Sequence, residues 1–148
     1  RSVSSAASDV YKRQFLQIKP DLHVAGQVRN GTTKGIDENA LAAYNAPFPD
    51  DDHKQGVRQF PNLVPGTPRT PSAEPNKEAW KILREWKKPF LCAFSDKDPI
   101  FSGVENSFYK LIPGCKDMPH VTIENAGHFL QEDQPNACVE AILSIKDI

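Results

Sequence analysis

The chain has 148 residues, of which 39% are hydrophobic and 25% charged, and its formal net charge is −1. This near-neutral balance gives no electrostatic basis for binding nucleic acid or an anionic membrane surface. The longest apolar runs, such as PFLCAF, are far shorter than the ~20 residues of a membrane-spanning helix. We therefore expect one domain with its own core and neither nucleic acid nor membrane as a partner.

Cysteine usage indicates a reducing compartment. The three cysteines are odd in number and share no CxxC spacing, so they predict neither a disulfide framework nor a zinc site. We interpret Cys92, Cys115 and Cys138 as small buried apolar groups and expect a cytoplasmic protein.

The first fourteen residues, RSVSSAASDVYKRQ, differ from the rest of the chain. They are rich in Ser and Ala, have a basic end and lack the continuous apolar core of a signal peptide. The stretch resembles translated adapter sequence. We interpret residues 1–14 as a non-native leader and expect the natural protein to continue upstream with different residues.

Short helical signals and then a proline-rich stretch occupy residues 15–75. Asp37 is the predicted N-cap of a helix in which Leu41 and Tyr44 share one face and which Pro47 ends. Most of the thirteen prolines follow between residues 47 and 89, interleaved with apolar residues. We predict an irregular lid over residues 47–75.

An amphipathic helix is predicted after the lid, and from residue 89 onward the pattern becomes that of an α/β fold. EPNKEAWKILREWKK predicts an amphipathic helix with Trp80, Leu83 and Trp86 on one face. Lys87 and Lys88 suit its C-terminal dipole, and the following proline stops it.

Two apolar runs predict strands. PFLCAF, residues 89–94, has the pattern of a strand buried on both faces, and HVTIEN, residues 120–125, is rich in β-branched residues. Helical spacing of apolar residues marks GVENSFYKLIPG between them and QPNACVEAILSIKDI after them, with Asp133 near the start of the second helix. The terminal helix has one apolar stripe, formed by Cys138, Ala141, Ile142 and Ile145. Strand, helix, strand and helix predict a right-handed βαβ unit with parallel strands.

The loops that follow the two strands carry an acid and a histidine. Parallel strands deliver these loops, SDKDPIF and NAGHF, to the same edge of the sheet, where α/β proteins bind ligands. Asp98 and His128 should therefore lie side by side. A carboxylate that orients an imidazole leaves the second ring nitrogen free to act as a base, and Gly127 would allow a tight turn before the histidine. Asp96 is the rival acid, but Asp98 precedes Pro99, which stiffens the chain.

Three stretches resemble haloalkane dehalogenases, in the branch that takes small haloalkanes. These are AAYNAPFPDDDHKQGVRQFPNLVP, FSDKDPIFSG and AGHFLQED, and the resemblance extends over residues 20–147. It implies a partial α/β-hydrolase fold, in which residues 15–75 form a helical cap and residues 76–148 form the last parallel strands and helices of the core. The N-terminal half of that core is absent from the chain.

The resemblance implies hydrolysis through a covalent alkyl-ester. A carboxylate nucleophile displaces halide, and a histidine then activates the water that hydrolyses the ester. Asp98 matches the acid of this family and His128 its base, while Phe60, Pro61 and Val64 match cap positions that line the substrate and halide pocket. Ordinary packing of lid on core is an alternative role for the last three. No cofactor or metal is implied; the partners are a small halogenated hydrocarbon and halide, and the full-length protein would be a monomer.

The chain departs from the family in its nucleophile. It contains neither a GxSxG elbow nor an aspartate next to a tryptophan, and Trp80 and Trp86 match neither halide-binding tryptophan. We interpret the chain as a C-terminal fragment. We expect it to be inactive by itself, and poorly soluble because it would expose a sheet edge and apolar surface.

Three alternatives remain open at this point. An epoxide hydrolase would share the aspartate nucleophile and would need cap tyrosines, of which Tyr44 is the only candidate. A serine esterase shares the fold and the order of acid and histidine. The domain could also be a non-catalytic α/β-hydrolase-like binding module that retains Asp98 and His128.

Overall fold

The computed structural model describes residues 21–145, which form several helices and a small parallel sheet. The predicted leader, residues 1–14, and the first residues of the predicted cap lie outside the described residues. In chain order the elements are α1 (Val24–Asn30), α2 (Glu38–Asn45), a 3-10 turn (Asp52–Lys54), α3 (Gln55–Leu63), α4 (Ala73–Leu83), β1 (Ala93–Ser95), α5 (Glu105–Leu111), a second 3-10 turn (Pro113–Cys115), β2 (Val121–Ile123), α6 (Leu130–Asp133) and α7 (Pro135–Ser144).

Helices α1 and α2 pack together at the start of the described chain. The predicted N-cap of α2 is confirmed, because the Asp37 carboxylate accepts a hydrogen bond from the Ala40 N–H at 2.8 Å. The Asn45 side chain at the other end of α2 accepts from the Ala25 N–H at 3.2 Å. Leu41 is buried, as expected from its place on the apolar face of the helix.

The proline-rich stretch is more regular than predicted. A 3-10 turn and helix α3 occupy residues 52–63, so the prediction of an irregular lid was wrong there. Pro75 is the third residue of α4, where backbone N–H groups have no intrahelical partner, so the helix tolerates it. Pro61 instead lies inside α3, two residues before its last residue, where the missing N–H removes one helix hydrogen bond.

The two strands pair in parallel, as predicted. Ala93 is opposite Val121 and Ser95 is opposite Ile123. Strand β1 is shorter than the strand predicted over residues 89–94, and it ends one residue later. It starts later because the backbone before it forms hydrogen bonds outside the sheet: the Phe90 N–H donates to the Gly114 carbonyl at 3.0 Å. Side chains of this run pack on both faces of the sheet, as predicted, but the three residues of β1 are half-buried, not fully buried.

Apolar clusters lie on both faces of the sheet. Residues alternate in direction along β1, so neighbouring side chains reach different clusters. One cluster consists of Cys92, Ile112 and Cys115 with Trp80, Leu83, Phe90, Phe94 and Phe108 against it. The other consists of Ile123, Ala126 and Ala141 with Leu91, Ala93, Val121, Leu130 and Ala137 against it. Helices α4 and α5 therefore cover one face and α7 the other, the layering of an α/β fold.

One predicted helix ends earlier than expected. Helix α4 stops at Leu83, before the predicted end at Pro89, and the backbone carbonyl of Trp86 instead accepts from the Gly114 N–H at 2.7 Å. The terminal helix starts where it was predicted: Gln134 is its N-cap, with φ −140° and ψ 60°, and α7 begins with Pro135. Proline suits this first helical position because its missing N–H would have no partner there. Between residues 21 and 145, no helix is both long and apolar enough to cross a membrane.

Candidate active site

The carboxyl ends of β1 and β2 bring two loops together. Hydrogen bonds continue the pairing past the strands: the Asp96 N–H donates to the Ile123 carbonyl at 3.2 Å, and the Lys97 N–H to the Ala126 carbonyl at 3.0 Å. The Lys97 ammonium also donates to the Asn125 side chain at 3.0 Å. The loop with the predicted acid and the loop with the predicted base are therefore joined along several residues.

Asp98 and His128 meet at this edge of the sheet. His128 Nδ1 lies 3.0 Å from Asp98 Oδ2, and the Asp98 side chain is 8% exposed. Asp98 Oδ1 accepts a hydrogen bond from the Ile100 N–H at 2.7 Å. Since a carboxylate only accepts, the imidazole proton is assigned to Nδ1. The acid thus fixes both the tautomer and the orientation of the ring.

The second nitrogen of His128 is available for chemistry. No hydrogen-bond partner of Nε2 occurs among residues 21–145, and the side chain retains 28% exposure. Two aromatic rings flank the imidazole: Phe101 at 5.4 Å between centroids and Phe129, edge-on, at 5.1 Å. An oriented imidazole with one open nitrogen in an aromatic setting is suited to accept a proton from water.

Asp96, the rival acid, binds the backbone of the other loop. Its Oδ1 accepts from the Ala126 N–H at 3.1 Å. Although desolvation raises the pKa of Asp96, the N–H groups of Ala126 and Asn125 outweigh it and hold the pKa below its usual value. The carboxylate therefore supports the histidine loop through the backbone.

A third aspartate, Asp133, is buried beside the histidine loop. It is 2% exposed, and its carboxylate accepts from the Gly127 N–H at 2.8 Å and from the Thr33 N–H at 2.9 Å and 3.0 Å. The Lys34 N–H donates to it at 3.1 Å. Burial raises the pKa of Asp133, but these three backbone donors together hold it below its usual value.

Gly127 has a different role from the one predicted. Its φ does not lie in the left-handed region, so the prediction that it supplies a specially permissive turn was wrong; Asn125, at φ 57°, takes that conformation. A Cβ on Gly127 would lie 2.4 Å from the Gly31 carbonyl oxygen. The glycine is needed because another backbone approaches it closely.

The three predicted pocket residues lie apart from this pair in the chain, on or just after α3. Phe60 is 71% exposed and Val64 is 48% exposed, and Pro61 is half-buried. Among residues 21–145, no hydrogen bond, ion pair or ring contact joins Phe60 or Pro61 to Asp98 or His128. The Tyr44 hydroxyl, considered for an epoxide hydrolase, donates to Glu132 Oε1 at 2.7 Å.

An open apolar groove lies between the sheet and α7. Its volume is about 290 Å³, and neither Asp98 nor His128 lines it. Its lining consists of Leu91, Ala93, Leu130, Gln131, Cys138, Ala141, Ile142 and Ile145. Among the residues that the structure describes, no group of three His, Cys, Asp or Glu side chains is placed to hold a metal ion.

Sequence reasoning missed the structural part of the site. The sequence predicts only that Asp133 lies near the start of a helix, whereas in the structure its carboxylate holds loops almost one hundred residues apart. His120 was interpreted only as the first residue of a strand, although its Nδ1 accepts from the Cys92 N–H at 3.1 Å. A buried carboxylate that binds only backbone leaves no spacing signal, so the sequence offered no means of finding it.

The order of an acid and then a histidine, each after its own parallel strand, is that of the α/β-hydrolases. No family model matches the chain. It is 50% identical over 122 residues to a haloalkane dehalogenase of Psychrobacter cryohalolentis, covering 82% of this chain and 40% of that relative. Haloalkane dehalogenases of Mycolicibacterium paratuberculosis and Mycobacterium marinum are 41% and 39% identical over 132 residues, which are 89% of this chain and 44% of each relative. Over most of its own length the chain is thus similar to haloalkane dehalogenases, and it spans less than half the length of these relatives.

Proposed function

We propose that this chain supplies the acid and the base of a hydrolytic haloalkane dehalogenase. The reaction converts a small haloalkane and water into a primary alcohol, halide and a proton. The contact between His128 Nδ1 and Asp98 Oδ2, with Nε2 left open, is the observation that supports this function most directly. The names of the relatives support the substrate class.

The first step forms a covalent intermediate. A carboxylate from the part of the fold that this chain does not span attacks the carbon that bears the halogen. The carbon–halogen bond breaks as the ester C–O bond forms, and halide leaves with the electron pair. The chain itself offers no serine elbow and no aspartate next to a tryptophan for this step.

The second step uses the residues of this chain. His128 Nε2 takes a proton from water, and the oxygen attacks the ester carbonyl, which releases the alcohol and restores the carboxylate. Asp98 stabilises the imidazolium that forms, through the hydrogen bond to Nδ1 at 3.0 Å. A general base of this kind contributes roughly 10²–10⁴-fold to the rate.

The division of the chain and the position of the pocket belong to the same proposal. Residues 15–75 form the cap and residues 76–148 the C-terminal part of the core. Phe60, Pro61 and Val64 contribute to the apolar wall of the substrate and halide pocket. The exposure of Phe60 and Val64 leaves apolar surface on α3 that such a pocket would use.

A chimeric enzyme tests the function. This chain would replace the matching 122-residue segment of the Psychrobacter relative, which would supply the remainder of the fold. We expect halide release from a short 1-bromoalkane at steady state. The His128→Ala variant should release no more than one halide per enzyme and should gain the mass of one alkyl group, because the ester forms but is not hydrolysed.

His53→Ala is the matched control, because His53 lies exposed on the 3-10 turn before α3 and bonds only the nearby Asp50 among the described residues. Its turnover should equal that of the unsubstituted chimera. Continued turnover by the His128→Ala variant would exclude His128 as the base. Hydrolysis of carboxylic esters without release of halide would favour the esterase alternative.

A further inference from the structure

We infer that Asp133 is a positioning residue for His128. Its carboxylate holds the loop that carries the histidine against the turn after α1, and so sets the place of the imidazole relative to Asp98. Because the role of His128 as a base is itself proposed, this inference rests on the proposed function. It assigns Asp133 no contact with substrate or with the reacting atoms.

The hydrogen bonds of Asp133 join two segments. Oδ2 accepts from the Gly127 N–H at 2.8 Å, one residue before the histidine. Oδ1 accepts from the N–H groups of Thr33 at 3.0 Å and Lys34 at 3.1 Å, in the turn after α1. One rigid carboxylate therefore fixes the distance between the histidine loop and a segment almost one hundred residues earlier in the chain.

Burial makes this arrangement specific. Asp133 is 2% exposed, and a buried carboxylate is strongly unfavourable unless hydrogen bonds replace its water. The backbone N–H groups provide that replacement only while both segments stay in place. The Lys34 ammonium does not neutralise the carboxylate directly; it donates to the Asp133 backbone carbonyl at 2.9 Å.

Contacts on either side of His128 complete the support. The Ala126 N–H donates to Asp96, and the Phe129 N–H donates to the Gly31 carbonyl at 3.2 Å. Asp96 is exposed, so water replaces its bond at little cost, whereas no water replaces the bond of the buried Asp133. Loss of Asp133 should therefore move the histidine, and a displacement of ~1 Å is enough to lower a rate by about 10²-fold.

The protonation state of the histidine rings provides a direct test. The full 148-residue chain would be labelled with ¹⁵N-histidine and measured by NMR, in solution or as a sediment, at a pH at which the rings are neutral. His128 should show a single tautomer with the proton on Nδ1. His120, which accepts at Nδ1 and donates from Nε2 to the Cys115 carbonyl at 3.0 Å, should show the opposite tautomer.

We expect Asp133→Asn to convert the His128 signals to those of a mixture of tautomers, while the His120 signals stay unchanged. His120 is the internal control, because general loosening of the fold would change both rings. Glu132→Gln is the matched control variant; it removes the neighbouring carboxylate, which binds only Tyr44 in the described part of the chain. It should leave both rings unchanged.

Unchanged His128 signals in Asp133→Asn would overturn the inference. Loss of the single-tautomer signals of both His128 and His120 would also overturn it, because it would mean that Asp133 only stabilises the fold. If the Asn variant does not fold, Asp133→Glu replaces it. That side chain keeps the charge but is one methylene longer, so it should shift His128 alone; no shift, or a shift of both rings, would count against positioning.

Kinetics of the chimeric enzyme give a second readout. Asp133→Asn should lower kcat by about 10²-fold and KM by a similar factor, because slower hydrolysis of the ester leaves the first step, and so kcat/KM, unchanged. The two proposals fail separately. A chimera that releases no halide contradicts the proposed function and leaves the NMR result intact, whereas unchanged NMR signals in an active chimera contradict only the role of Asp133.

Discussion

At the residue scale, His120 and His128 differ in what their ring nitrogens bind. Both nitrogens of His120 are engaged, by the Cys92 N–H and the Cys115 carbonyl, and its ring lies 4.3 Å from that of Tyr109. His128 uses one nitrogen for Asp98 and keeps the other open. The first histidine therefore joins parts of the fold, and the second is available for proton transfer.

His120→Leu should destabilise the chain because it leaves the buried Cys92 N–H without its acceptor. An unsatisfied buried donor costs about 1–3 kcal/mol. Urea unfolding followed by circular dichroism would measure the loss. His53→Leu, at an exposed histidine, is the control and should change stability by less than about 1 kcal/mol. Equal changes in unfolding free energy for the two substitutions would mean that the hydrogen bonds of His120 do not stabilise the fold.

The pH dependence of the unfolding free energy should reveal the contribution of the ionised Asp133 carboxylate. Its pKa is depressed in the folded chain, so its stabilisation is complete above the ordinary aspartate value of about 3.9 and disappears as the pH falls through the lower folded value. Asp133→Asn should cost roughly 1.5–3 kcal/mol at pH 7. The difference in unfolding free energy between the two chains should shrink below about pH 4. A difference that stays constant with pH would be inconsistent with an ionised Asp133.

At the element scale, the strands are short and the loops after them do much of the joining. Strands β1 and β2 have three residues each, yet their pairing continues through Asp96, Lys97 and Ala126. The turn after α1 then packs on the histidine loop so closely that glycine is required at Gly127. The geometry of the Asp98–His128 pair thus depends on contacts between loops as much as on the sheet.

Gly127→Ala should be destabilising because its Cβ would stand 2.4 Å from the Gly31 carbonyl oxygen, a backbone atom that a side-chain rotation does not move. Overpacking of this kind lowers the free energy of unfolding by roughly 1–3 kcal/mol. Gly56→Ala is the matched control: it lies in α3 with nothing within 4 Å of the added methyl group. It should be neutral or stabilise by up to ~1 kcal/mol. Chemical unfolding compares the two, and equal results would refute the close approach.

At the scale of the whole molecule, helix α7 covers the sheet incompletely. Ile142 on this helix is 68% exposed and Ile145, directly after it, is 41% exposed, and both line an open apolar groove. The sheet has two strands in the described part of the chain, so each strand also has an open edge. Exposed apolar surface next to open strand edges favours self-association.

Ile142→Lys should reduce that self-association and the fluorescence of a bound apolar dye, because it places a charge at the rim of the groove. Ile82→Lys is the control. Ile82 is 65% exposed on α4, but it does not line the groove, so the same substitution there should change dye binding little. Sedimentation velocity and dye titration provide the measurements. An equal response to both substitutions would show that total charge matters more than the groove.

The sequence by itself determined the α/β pattern, the parallel pairing and the likeness to haloalkane dehalogenases. These features depend on local periodicity and on motifs, which are visible along a single chain. Asp37 as an N-cap and the two strands in parallel order are confirmed, and so is the likeness to haloalkane dehalogenases. The sequence also indicated which loops would meet, because the ends of parallel strands share an edge.

Only the tertiary structure decided what supports that edge. The bonds of Asp133 to Thr33 and Lys34 join distant segments, and no periodicity records them. The need for glycine at position 127 follows from the approach of Gly31, and the early end of α4 follows from bonds to Gly114. In each case a backbone group satisfied its hydrogen bonds or its packing with a partner far along the chain, which local propensity does not describe.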